Sequence, residues 1–236
     1  EILQVAADKL ACLVRMLVQV EGIVEPKPLV RINGETMIDR LLRIFLENNA
    51  ESISIIVNNE MTVVQKYVQG LKLAVPVNIV VKSTPSSMHS FYELTPYLKG
   101  GKFVLTTVDT MFREEEFAEY VSEFDKSTDI DALMAVTDYI DDEKPLYVET
   151  DGNLDIIGFK DVVYSGARYI SGGIYGLSDN ALDILRDSMM EGVSRMRNYQ
   201  RRLVENGLKL KAYPFSKIID VDHASDIEKA AIFVKR

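Results

Sequence analysis

The segment Glu25-Pro26-Lys27-Pro28-Leu29-Val30 is the first place where residue types and spacing suggest chemistry. Two prolines fix the backbone on either side of Lys27 and hold its stem at a set angle. An ammonium held in this way suits a phosphate, as a point charge. The plain alternative is a solvated lysine in a surface turn; in the phosphate-binding reading too Lys27 is expected to be exposed, so that Lys27→Ala would leave the melting temperature nearly unchanged. Asp109 directly follows the apolar run Lys102–Val108. Its carboxylate is therefore expected at the end of a strand, unless it serves a turn or a helix cap before Met111. Asp220 and Asp222 point to one face if their segment is a strand, and are otherwise a solvated strand end. Gly172-Gly173 interrupts a strand-like run, as a β-bulge would. His89 and His223 lack the spacing of a metal-ligand pair; His89 reads as a satisfied loop histidine and His223 as a helix-entry residue. Cys12 sits in an apolar run and reads as core rather than nucleophile. Neither Gly-x-Ser-x-Gly nor His-Glu-x-x-His occurs, so hydrolase chemistry gains no support.

These side chains need elements to position them. Ser52–Val57, Val77–Val81, Lys102–Val108 and Ala132–Thr137 read as buried strands. Between them, Thr36 caps a helix from about Met37 to Asn48, with Ile38, Leu41, Leu42, Phe45 and Leu46 on one face. Met61–Leu71 and Arg113–Phe124 repeat the helical pattern. Strands alternating with helices imply parallel βαβ crossovers and an α/β sandwich. Such sheets bind ligands beyond the carboxyl ends of their strands. In the second half, Asp151-Gly152 marks a hairpin turn between Tyr147–Thr150 and Asn153–Ile157. Tyr169–Leu177 reads as a strand, 180–191 and 192–206 as two helices, and Tyr213–Asp220 as a final strand. Ser225 then caps a closing helix over 226–235. No composition shift divides the chain, so residues 1–236 are expected to form a single domain.

Composition narrows the class. The 236 residues are 47% hydrophobic and 27% charged, as in ordinary globular proteins. Thirty-six acids against 27 bases give a net charge of −9, which argues against sequence-independent nucleic-acid binding. The basic stretch Arg195, Arg197, Arg201 and Arg202 reads as a solvated helix face. The apolar run Leu10–Val20, broken by Arg15, is too short to span a bilayer, and Glu1 and Asp8 do not make a basic leader. One cysteine permits no internal disulfide. The expectation is a cytoplasmic protein without membrane or nucleic-acid partners.

Pro26-Lys-Pro-Leu-Val-Arg-Ile-Asn-Gly-Glu-Thr-Met-Ile-Asp-Arg40 resembles the Pro-Lys-Pro-Leu element of the sugar-1-phosphate nucleotidyltransferases, with Thr36-Met37 where many relatives have proline. Four further segments are similar to that family in the same order. They are Ser83–Ser90, Phe103–Thr110, Ser171–Tyr175 and Ile219–Ile227. The resemblance implies a Rossmann-like three-layer sandwich with a mostly parallel central sheet, of the nucleotide-diphospho-sugar transferase type. It implies an enzyme that joins a nucleoside triphosphate to a sugar 1-phosphate or related phosphate ester, releasing pyrophosphate with magnesium as cofactor. It assigns Lys27 to the phosphates, Ser86 and Ser87 to the neighbourhood of the base, and Gly172 and Gly173 to the acceptor. It gives Asp109, with Asp220 or Asp222, the metal; magnesium is held by one or two carboxylates plus phosphate oxygens. Lys160, after the strand-like Ile156–Phe159, either faces the acceptor phosphate or is a surface lysine.

The opening departs from the family. Where relatives have a glycine-rich phosphate loop after the first strand, this chain has Gln4-Val-Ala-Ala-Asp-Lys-Leu-Ala-Cys-Leu-Val-Arg15. Asp8 and Leu10 take the places of the loop glycines, and Leu10, Leu13, Val14, Leu17 and Val18 give a helical stripe. An aspartate there would repel phosphates. Two alternatives follow: a non-catalytic nucleotide-sugar binding or regulatory protein of the same fold, and a glycosyltransferase of similar topology. The first predicts that a nucleotide sugar binds at least as tightly as a triphosphate.

Overall fold

The computed structural model describes residues 11–15, 24–98, 100–141 and 144–235. In chain order, strand β1 (Ala11–Arg15) precedes a 3-10 turn at Lys27–Leu29 and two short strands, β2 (Arg31–Ile32) and β3 (Glu35–Thr36). Helix α1 (Met37–Glu47), β4 (Ser52–Val57), α2 (Thr62–Gln69), β5 (Val77–Val81) and α3 (Ser87–Leu94) follow. Then come β6 (Phe103–Thr107), β7 (Thr110–Met111), α4 (Glu114–Lys126) and β8 (Ala132–Thr137). The remainder is β9 (Tyr147–Thr150), β10 (Ile156–Lys160), β11 (Tyr169–Leu177), α5 (Asp179–Met190), α6 (Met196–Glu205), β12 (Leu210–Phe215), β13 (Ile219–Asp220) and α7 (Ala224–Phe233).

Among the described residues, nine strands form the main sheet. β1 lies parallel between β4 and β6, β5 extends the β4 edge, and β8 and β12 pair in parallel on the other side. β11 runs antiparallel between β6 and β8, and its first residues also pair with the β9–β10 hairpin. Successive strand residues face opposite sides. Thus Leu133 and Ala135 join one apolar core with α1, α2 and α4, while Ala132, Met134 and Val136 join a second with α3, α5 and α6. The result is a three-layer α/β sandwich with a mostly parallel sheet. Among the described residues, no helix is long and apolar enough to cross a membrane.

Local chemistry explains several boundaries. Thr36 Oγ1 accepts from Asp39 N at 3.1 Å and starts α1. Three glutamates in the first turn of α4 and Lys126 in its last oppose the helix dipole.

Five expectations need correction. The helical stripe around Leu13 and Val14 is overturned: Ala11–Arg15 is the central strand, and a short continuous apolar run cannot be told from a helix by periodicity. His89 lies in α3 rather than in a loop. The β9–β10 turn spans 151–155 instead of two residues, because Asp151 Oδ1 accepts from Asn153 N at 2.8 Å and Asp155 N at 2.9 Å. The expected last strand is two elements, β12 in the main sheet and β13 paired with β7. The closing helix begins after His223, not Ser225; His223 and Asp226 form a reciprocal capping box.

Candidate active site

The 3-10 turn at Lys27–Leu29 is closed by Leu29 N donating to Pro26 O at 2.8 Å and Val30 N to Lys27 O at 3.2 Å. It turns the Lys27 side chain inward, leaving the residue only 1% exposed. The expectation of an exposed lysine whose removal leaves stability unchanged is therefore overturned, because Lys27 is buried against a carboxylate. Lys27 Nζ lies 2.7 Å from Asp109 Oδ2 and 2.7 Å from Asp222 Oδ1. Burial pushes the ammonium pKa down, but the charge of Asp109 and hydrogen bonds to Asp109 and Asp222 outweigh it and raise the pKa.

Asp109 and the closing aspartates meet through a two-residue ladder. Asp220 pairs with Thr110 across β13 and β7, and Val221 N donates to Asp109 O at 3.1 Å. Asp220 opens into the cleft, yet protein atoms crowd it. Although Asp220 is exposed, that crowding, with the like charges of Asp109 and Asp222, pushes its carboxyl up to about 8 against the opposing pull of Lys27. Asp109 Oδ1 is buried without a hydrogen-bond partner. An orphaned hard oxygen beside two further carboxylates fits a magnesium ion. Among the described residues, no group of three or more His, Cys, Asp or Glu is placed to hold a metal alone. Magnesium does not require one, because water and phosphate oxygens complete its shell.

Two cavities meet at Asp220 and Asp222, at the carboxyl edge of the parallel strands. The smaller, about 270 Å³, is lined by Ser87, Phe91, Thr107, Asp109, Gly173 and Tyr175 among others. The larger, about 520 Å³, is mostly polar and includes Tyr139, Ser171, Gly172 and Lys229. Gly172-Gly173 forms a bulge, since the register between β11 and β8 shifts between Ser171 and Tyr175. Gly173 has φ +74°, and a Cβ on Gly172 would lie 2.2 Å from Ile218 Cδ1. Gly172 borders the larger cavity and Gly173 the smaller.

Other expected residues fall elsewhere. Ser86 precedes α3 and its Oγ contacts His89 Nδ1 at 2.8 Å, while Ser87 faces the smaller cavity. Lys160 does not line either cavity; it pairs with Glu149 Oε2 at 3.2 Å across the hairpin. Asp8 and Leu10 lie outside the described residues. Residues 16–23, which follow β1 in the sequence, also lie outside the described residues.

Sequence reading missed Tyr175 and Asp226. Tyr175 is half-buried, and the protein packed around its ring pushes its phenol up to about 12; a hydrogen bond with Ser171 opposes the shift and Asp220 adds to it. Strand alternation through Tyr169–Leu177 places it on one face without revealing the cavity. Asp226 accepts from His223 N at 2.9 Å and from Lys229 Nζ at 3.2 Å, behind Asp222.

A buried lysine and clustered carboxylates thus stand at the carboxyl edge of an α/β sheet, where ligands of such folds bind. Residues 15–153 match the model of the MobA-like NTP transferase domain, and the chain belongs to that family of nucleotidyltransferases. A sequence search of curated proteins finds no match. Among solved structures, the chain resembles the inositol-1-phosphate CTP transferase from T. maritima, with TM-score 0.77, 16% identity, and coverage of 98% of this chain and 99% of that one. It resembles HddC from Yersinia pseudotuberculosis at TM-score 0.72 and 17% identity, covering 94% and 98%. It also resembles a CMP:2-keto-3-deoxy-manno-octonic acid synthetase complexed with CTP, at TM-score 0.71 and 16% identity, covering 95% and 97%. At these identities the likeness is one of fold.

Proposed function

We propose that this nucleotidyltransferase joins a nucleoside triphosphate to a sugar 1-phosphate or related phosphate ester and releases pyrophosphate. The observation that carries the reading is the convergence of Lys27, Asp109, Asp220 and Asp222 where two cavities meet. The structural neighbours support it, since they are named for transferase and synthetase reactions and one was solved with CTP.

In this reading Ser87 and Phe91 wall the nucleotide and Gly172-Gly173 borders the acceptor. An acceptor phosphate oxygen attacks the α-phosphorus in line, and the bond from that phosphorus to the bridging oxygen breaks as pyrophosphate leaves. Lys27 neutralises charge on the phosphates, and the rigid turn around it keeps reorganisation small. Asp109, with Asp220 or Asp222, would hold magnesium. Magnesium supplies charge neutralisation on phosphate oxygens when bound.

The test is pyrophosphate release from each of the four common triphosphates against a panel of sugar phosphates and phosphocholine. Release with one specific pair is the expected result. Tight nucleotide-sugar binding without release from any pair would replace this reading with that of a binding protein.

A further inference from the structure

We infer that the Lys27 ammonium and a divalent cation compete for the same carboxylate oxygens, so that cation binding releases Lys27 toward the substrate phosphates. The inference rests on the proposed cation-binding role of Asp109 and Asp222.

Lys27 Nζ holds one oxygen of each carboxylate at 2.7 Å. Two like-signed charges that share those oxygens at contact distance repel each other, most strongly at Asp109, whose side chain is only 4% exposed. The exchange is favoured by charge. Asp109, Asp220 and Asp222 gather three acids around one ammonium, and a dication answers that excess better than a monocation. It is also favoured by oxygen count, because the ammonium leaves Asp109 Oδ1 without a partner.

The mechanics are local. Pro26 and Pro28 hold the backbone, while the four-carbon stem of Lys27 can swing its head group. Asp222 borders both cavities, and its side chain is 63% exposed, so the Lys27–Asp222 contact is the open side of the triad. An ammonium displaced from it moves toward the space between the cavities. Lys27 would thus act on phosphates only once a cation is in place, which couples loading of the metal to arming of the lysine.

Manganese alone, without nucleotide, is the probe. Free manganese is measured by electron paramagnetic resonance with the full chain and with Lys27→Met. Competition predicts that Lys27→Met binds manganese about tenfold more tightly or better, as when the wild-type site is open about one part in ten. Equal or weaker binding overturns the inference. Lys27→Met could fail to fold, so a second measurement uses the wild-type chain. Native lysine acetylation read by mass spectrometry should show Lys27 labelling rising several-fold on adding manganese, and unchanged labelling overturns the inference as well. Exchange observed without pyrophosphate release would sink only the transfer reading. Release without exchange would sink only this inference.

Discussion

Replacing Lys27 by methionine would leave Asp109 buried beside no counter-charge. The Lys27 and Asp109 side chains are 2% and 4% exposed, whereas that of Asp222 is 63% exposed. Breaking a buried pair costs about 3–5 kcal/mol, and losing an exposed partner about 0–1 kcal/mol. Urea denaturation should therefore rank Lys27→Met far below wild type and Asp222→Asn close to it. Similar midpoints for the two variants would show that the buried pair is not what stabilises this corner. On turnover, Lys27→Ala should lose about 2–4 kcal/mol of transition-state stabilisation, the scale for one preorganised electrostatic contact. Asp109→Asn should abolish magnesium-dependent turnover while far-ultraviolet circular dichroism stays native, because Lys27 keeps Asp222. A wild-type rate with wild-type magnesium dependence would remove Asp109 from the site.

At the scale of elements, the bulge in β11 and the start of α7 shape the cleft. A Cβ on Gly172 meets Ile218 Cδ1 at 2.2 Å and Ala135 O at 3.2 Å, and the second contact is backbone that cannot easily yield. Gly172→Ala should cost about 1–3 kcal/mol by overpacking, measured as a lowered denaturation midpoint with an unchanged slope. A neutral result would mean that Ile218 repacks freely. At α7, burial raises the Asp226 pKa, but hydrogen bonds from His223 N and Lys229 outweigh it and hold the carboxyl below its ordinary 3.8. For a carboxyl held low in the fold, the stabilisation is present above the unfolded pKa and disappears as pH falls through the folded one. Asp226→Asn should thus cost about 1 kcal/mol near neutrality and nothing at pH values below the folded pKa. A pH-independent difference in melting temperature would contradict the capping role.

At the scale of the whole molecule, the cleft collects groups from both ends of the sequence onto one sheet edge. A nucleoside triphosphate with magnesium should stabilise the fold by about 2.7 kcal/mol when present at about one hundred times its dissociation constant. Thermal unfolding with each of the four triphosphates tests this, and no shift with any of them would argue against the nucleotide cavity. Much of the molecule's frame was legible beforehand. The α1 cap, the alternation of strands and helices and the strand at Tyr169–Leu177 follow from periodicity and capping chemistry. β1 was not, because a short continuous apolar run has no period that tells a strand from a helix. The split of β12 from β13 was not, because a two-residue ladder has no local signature.

The amino-acid sequence by itself determined the layer architecture and the candidate chemistry. Apolar period and turn residues act over a few neighbours; Lys27 stands out by its flanking prolines, Asp109 by its place after an apolar run, and Asp220 and Asp222 by their paired spacing. Only the tertiary structure decided which of these meet. The Lys27–Asp222 contact joins residues 195 positions apart, and Lys160 falls away to Glu149. Burial of Lys27, the crowding that raises Asp220 and the close approach at Gly172 all depend on atoms brought together across the sheet, and spacing along the chain carries no record of that.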